Sequence, residues 1–193
     1  MHLHLGIDAA GLPPGLRVHY TVVEDWGKGV DAEDNVFLIS IPSVIDPSLA
    51  PEGKHAVHVY TPGAERWARW AGVERGTPEY EVLKEERAGP LWAALQQIIP
   101  DIKDRVEVEM VGTPLTHKRF LRRHNGSYGG RGWVEKGEQA TINVETGVPG
   151  LLAIGDSCFP GPGLPAVAAG GVVAAHSLVP FWQQCEVIDE VLP

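Results

Sequence analysis

Two short segments of this chain have the glycine spacing that lets backbone amides approach a phosphate or a flat ligand, and their surroundings differ. Gly27-Lys28-Gly29-Val30-Asp31-Ala32 runs on into Glu33 and Asp34 and then into another strand-like run. Carboxylates there would repel a pyrophosphate, and no helix N-terminus is at hand to attract one. This segment reads as a turn. Gly161-Pro162-Gly163-Leu164-Pro165-Ala166 instead joins a short apolar run, residues 151–154, to an Ala/Val/Gly-rich helical stretch, residues 164–178. The positive end of that helix would face an anionic or electron-rich part of a ligand, with Asp156 accepting hydrogen bonds from hydroxyls. Small residues at such a place also make a tight strand-to-helix packing corner, and the residues alone leave the two readings open. No further parallel strand with a ribose-binding acid follows, so the corner is not expected to be the first turn of a complete dinucleotide-binding unit.

Histidine, cysteine and basic residues offer less. His2 and His4 alternate along one strand and share a face, which suits a metal pair, but no third ligand is evident. A structural role and no metal site are expected. His55 and His58 are three apart on a strand-like run, so they point to opposite faces. Cys158 lies beside the glycine corner, where a lone cysteine is commonly buried and inert. Lys118, Arg119, Arg122, Arg123 and His124 form a basic cluster that reads as a solvated helix face. No residue is identified as a catalytic acid or base.

The elements that must hold these groups are short. Strand-like runs at residues 2–6, 18–24, 36–41 and 55–61 alternate with turns, and no connection between them is long enough for a crossover helix. Adjacent strands should therefore pair antiparallel. A short helix is expected at residues 65–71 and a longer one at residues 78–99, with Thr77 as N-cap and Pro78 in its first turn. Pro90 should kink or divide that helix near Gly89. Residues 106–111 read as a strand with Glu107 and Glu109 on its wet face, and Thr113 opens a basic helix running through Arg123. Residues 125–150 are polar and glycine-rich, the best internal boundary, and the wholly apolar run at 151–154 reads as a strand covered on both faces. Trp67, Trp70 and Trp92 have core-like spacing, whereas Trp133 and Trp182 read as exposed anchors.

Composition bounds the rest. The chain has 193 residues, 44% of them hydrophobic, with 23 glycines and 16 prolines, which indicates a loop-rich globular fold of one generous or two small domains. That length is short for a complete two-domain cofactor enzyme. A formal net charge of −9 disfavours nucleic acid and anionic lipid as partners. Two cysteines make no disulfide framework and fit a reducing compartment. The longest apolar stretch is broken by prolines, glycines and His176, so a soluble protein is expected, at most peripheral to a membrane.

One run is more specific than its spacing. Gly155-Asp156-Ser157-Cys158-Phe159-Pro160-Gly161-Pro162-Gly163-Leu164-Pro165-Ala166-Val167-Ala168-Ala169 resembles the C-terminal flavin motif of the carotenoid isomerase (prolycopene isomerase)-like, phytoene desaturase and retinol saturase family of the flavin amine oxidase superfamily. Met1-His2-Leu3-His4-Leu5-Gly6, Ile41-Pro42-Ser43-Val44-Ile45-Asp46-Pro47-Ser48-Leu49-Ala50-Pro51 and Gly112-Thr113-Pro114-Leu115-Thr116-His117-Lys118-Arg119-Phe120-Leu121-Arg122-Arg123 are similar to its isomerase-like branch. The likeness covers most of residues 1–124 and 148–180, in the family's order. It departs from the family at residues 128–148 and at Pro162.

The resemblance implies FAD as cofactor and a polyene as substrate, for isomerisation, desaturation or saturation. Gly155 and Asp156 would lie at the ribityl or phosphate region of the flavin, and Gly163, Leu164, Pro165 and Ala166 would face its pyrimidine edge. The early strands would floor a long apolar tunnel. The expected fold is α+β: a mainly antiparallel substrate-domain sheet with helices (residues 1–124), a divergent loop (125–150), and the last strand and helix of a Rossmann-like FAD domain with its tail (151–193). The family's adenosine-binding half is not among these 193 residues, so the chain is expected to be the C-terminal part of such a flavoprotein, inactive by itself, with FAD binding dependent on that half. Its expected setting is a plastid or a cyanobacterial cytoplasm. The alternative is a non-catalytic subunit that reuses this half-fold in a larger, possibly photosynthetic, complex.

Overall fold

The computed structural model describes residues 1–62, 65–127 and 142–191, which fall into two compact units, Met1–Gly126 and Ser127–Pro193. The first unit is built on five strands: β1 (His2–Asp8), β2 (His19–Val23), β3 (Val36–Ser40), β4 (Lys54–Tyr60) and β5 (Val106–Gly112). They form one sheet in the order β2-β3-β4-β1-β5, with every pairing antiparallel. The antiparallel sense is as expected, but β1 and β2 are not partners. β1 lies between β4 and β5, because its buried Leu3, Leu5 and Ile7 belong in the covered interior of the sheet rather than at an edge.

Alternation sets the two faces. Leu3, Leu5, Ile7, Phe37, Ile39, Val57 and Val59 point into a core shared with Tyr80, Leu91, Ala94 and Leu95 of α1 (Pro78–Gln96). Ile102, from the short α2 (Ile102–Arg105), and Trp70 join the same core. The opposite face carries His2, His4 and Gly6 of β1, which are registered with Tyr60, His58 and Ala56 of β4 and with Gly112, Met110 and Val108 of β5. Glu107 and Glu109 are exposed, as expected, but so are Val108 and Met110, because β5 is an edge strand.

Helix α1 starts as its sequence dictates. The Thr77 hydroxyl accepts from the Tyr80 amide at 3.3 Å, Pro78 occupies the first turn, and Glu79 and Glu81 sit at the positive end of the dipole. Pro90 does not divide it. The carbonyl that loses its donor belongs to Glu86, an exposed residue whose backbone water can reach, while buried Ala88 and Leu91 hold the turns on either side. The expected helix at residues 65–71 is reduced to a single 3-10 turn, Trp67–Arg69. α3 (Pro114–Phe120) opens with a full capping box between Thr113 and Thr116. It stops before the last arginines, since Arg122 turns the chain at a φ of 53°.

Trp70 is fully buried, and Trp67 and Trp92 pack partly buried against the core. Beside them Arg87 is buried among carboxylates. It donates to Asp34 at 2.8 and 2.9 Å and to Glu65 at 2.9 to 3.2 Å, with Glu33 at 3.4 Å. The first glycine segment is a turn region, as read: Ala32 N donates to Gly29 O, and buried Asn35 donates to the Gly29 carbonyl and accepts from Asp25 N.

The second unit holds α4 (Leu164–Leu178) and α5 (Phe181–Val191) and two isolated bridges, Ile142 with Cys158 in parallel and Glu145 with Leu152 antiparallel. The strand expected at 151–154 is thus a correction: it comes down to the one bridging residue Leu152, with Leu151 and Ile154 exposed. A short apolar run becomes a covered strand only when neighbours supply ladders on both its sides, and among the described residues the run is met only from 144–148, by the Leu152 bridge and by the bonds from Ala153 N to Val144 O and from Thr146 to Leu151 O. Trp182 is exposed, whereas Trp133 and most of the divergent loop lie outside the described residues. No helix among the described residues is long and apolar enough to cross a membrane.

Candidate functional site: a glycine corner and a histidine face

The expected flavin residues occupy one turn-to-helix stretch of the second unit. Gly155 has a φ of 122°, and its carbonyl accepts from Cys158 N at 3.1 Å. Ser157 Oγ donates to the Asp156 carboxylate at 3.4 Å. Gly161 and Gly163 have φ values of 129° and 100°, backbone that side-chain-bearing residues rarely adopt, so the glycine spacing is a conformational requirement.

Gly163 is the N-cap of α4 and offers no side chain to the first-turn amides, and Pro165 has no amide to satisfy. The first helical bond is Val167 N to Gly163 O at 2.9 Å. The amides of Leu164 and Ala166 therefore lie ahead of the helical ladder, at the positive end of a 15-residue helix. A Cβ placed on Gly155, Gly161 or Gly163 would meet nothing within 4 Å, so the backbone is open to close approach. Farther along, a Cβ at Gly170 would come to 3.1 Å from the Phe159 carbonyl, which explains a glycine inside α4. Cys158 is buried, as its neighbourhood suggested.

The open sheet face of the first unit holds a second cluster. His4 and His58 are directly opposite across β1 and β4, and their rings stack at 4.2 Å between centroids. His2 Nδ1 and His58 Nε2 share a hydrogen bond of 2.9 Å. His117 of α3 lies against the other side, its ring 4.7 Å from that of His2 and its Nδ1 buried without a partner among the described residues. Burial keeps these rings neutral. It lowers His2 to about 3, helped by the Met1 ammonium and the neighbouring histidines, and His58 to about 4, helped by His4. His4 and His117 shift the same way, also through burial.

His58 corrects the expectation that His2 and His4 lack a third ligand, since His2, His4 and His58 offer nitrogens all within 4.8 Å of one another. Alternation in Ala56-Val57-His58-Val59-Tyr60 assigns His58 to a face but does not say which strand it will meet; the β1/β4 register decides that. His55 points to the opposite face and bonds Ser43, as its spacing required.

A pH dependence follows with a definite sign. Unfolded histidines take up protons near 6.5, while folded His2 and His58 resist down to about 3 and about 4. Stability from this cluster is therefore complete above pH 6.5 and is lost progressively as pH falls toward 4. Urea midpoints measured with chelator present should decline between pH 6.5 and about 5, before most carboxylates titrate, and His58→Gln should flatten that decline. An unchanged slope in the variant would show that the cluster does not titrate as described.

No family model matches the chain. It is 40% identical over 198 residues to prolycopene isomerase 2, chloroplastic, of an Oncidium hybrid cultivar, covering 100% of this chain and 33% of that protein. It is 38% identical to the prolycopene isomerase, chloroplastic, of Arabidopsis thaliana, covering 91% of this chain and 29% of that protein. A phytoene desaturase (neurosporene-forming) of Rhodobacter capsulatus is 28% identical over 172 residues, covering 85% of this chain and 31% of the desaturase. The chain spans about a third of the length of the curated relatives it matches. Its whole length is homologous to part of a prolycopene isomerase, and it is more distantly similar to phytoene desaturases.

Proposed function

We propose that this chain is the C-terminal part of a carotenoid isomerase-like flavoprotein that acts on polyenes. The observation that carries the reading is homology over the full length of this chain with about a third of a prolycopene isomerase. The glycine corner supports it. Open space at Gly155, Gly161 and Gly163, uncapped amides at Leu164 and Ala166, and the Asp156 carboxylate form a donor and acceptor set that suits a flavin. Asp156 would accept from ribityl hydroxyls, and the α4 N-terminus would stabilise negative charge on the pyrimidine edge. Bound FAD would supply hydride or electron exchange with the polyene.

In the first unit, Leu38, Tyr60, Val108 and Met110 share one sheet face with His2, His4 and His58 and would contact an extended hydrocarbon there. The chloroplastic relatives support a plastid setting. Flavin retention would require polypeptide of the kind that forms the rest of those relatives, as the partner of this segment.

The test is reconstitution. The chain purified alone should carry no stoichiometric FAD absorbance. Joined to the remaining part of the Oncidium relative, it should retain FAD and isomerise prolycopene, read by chromatography. FAD bound in full by the chain alone would remove the need for further polypeptide. A folded chimera without flavin or isomerisation would overturn the whole reading.

A further inference from the structure

We propose that His2, His4 and His58 form a three-imidazole site for a divalent transition-metal ion, Zn(II) being the reference case, with an open fourth position on the exposed sheet face. This inference does not rest on the flavoprotein reading. It rests on the β1/β4 register, which sets three imidazoles on one face of two paired strands with ligand nitrogens all within 4.8 Å.

Tetrahedral zinc with Zn–N bonds of about 2.0–2.1 Å separates its ligand nitrogens by about 3.3 Å. His2 Nδ1 and His58 Nε2 already stand 2.9 Å apart across a shared proton, the place a cation would take. His4 stacks on His58 and is exposed, so its ring can turn about a soft terminal torsion to present a nitrogen without disturbing the core. Imidazole donors without a carboxylate among them select borderline ions such as Zn(II), Co(II), Ni(II) and Cu(II) over Mg(II) or Ca(II).

The cluster is otherwise poorly satisfied. Among the described residues the bond between His2 and His58 is the one hydrogen bond joining these rings, and the buried Nδ1 of His117, stacked on His2, has no partner. Histidines kept for packing alone are ordinarily held by carbonyls or carboxylates. The exposure of His4 on an open face leaves room for water or an exogenous ligand to complete the coordination.

The experiment uses the full 193-residue chain, stripped by chelation and titrated with Zn(II) by calorimetry and with Co(II) by visible absorption. One ion per chain and Co(II) bands of tetrahedral intensity are expected. His4→Ala and His58→Ala should each weaken binding by more than about tenfold, and His176→Ala, on exposed α4 surface, should leave it unchanged. His4 is exposed, so its variant keeps the fold even if His58→Ala does not, and circular dichroism checks both. Binding that survives His4→Ala overturns the site. So does binding in a folded His58→Ala variant, which would point to a chelate of the Met1 amine with His2.

Discussion

Arg87→Met should lower the unfolding free energy by about 3–5 kcal/mol, the range for removing one partner from a buried ionic cluster. Arg87 and Glu65 have side chains only 7% and 5% exposed. The guanidinium is shared by Glu65 and Asp34 through hydrogen bonds from three of its nitrogens, and Glu33 approaches at 3.4 Å. Burial works against its charge, but the hydrogen bonds to Glu65 and Asp34 prevail and hold its pKa above the ordinary arginine value. Methionine fills similar volume and leaves Glu65 buried without its countercharge. Arg87→Lys should fall in between, because one ammonium cannot reproduce a planar fork to two carboxylates. Urea unfolding of the three proteins decides it: a loss under about 1 kcal/mol for Arg87→Met would mean that water replaces the guanidinium, as at a surface pair. Adding Glu65→Gln to Arg87→Met should recover part of the loss.

That cluster also marks where sequence reading ends. In Leu83-Lys84-Glu85-Glu86-Arg87, the arginine is one charge among several on a helix, and nothing local separates it from Lys84. Its partners lie 22 and 53 positions away. The sheet shows the same division. Alternation identified β1 as a strand with Leu3 and Leu5 on one side and His2 and His4 on the other, yet its neighbours depend on pairing across more than fifty residues. Hence His58 escaped the metal argument, although both halves of the site were visible as strand histidines.

Local signals were legible where they act locally. Thr77 with Pro78 and Thr113 with Pro114 start helices because cap hydroxyl and first-turn proline act within one turn. The glycines at 161 and 163 were legible for the same reason, since positive φ is a property of the residue itself. The apolar run at 151–154 misled because burial on two faces is a property of its neighbours.

The second large effect is at Trp70, where Trp70→Ala should cost about 3–5 kcal/mol, the usual range for emptying a fully buried aromatic site. Two separate losses make up that figure. The ring packs edge-on to Tyr80 with centroids 6.1 Å apart, and its Nε1 donates to Glu65 at 2.9 Å. Trp70→Phe separates them: a ring remains, the donor goes, and the expected cost falls to about 1–3 kcal/mol, much of it from a buried carboxylate that loses a hydrogen bond. Because Trp70 and Arg87 both satisfy Glu65, their variants should not add. Once Arg87→Met has removed the guanidinium that fixes Glu65, the carboxylate can turn toward water, and the indole donor is then worth less than beside a fixed acceptor. The double variant Trp70→Phe/Arg87→Met should therefore be more stable than the sum of the single losses by about 0.5 kcal/mol or more in urea unfolding. Strict additivity would show that the tryptophan contributes through packing alone and that Glu65 does not couple the two halves of this core.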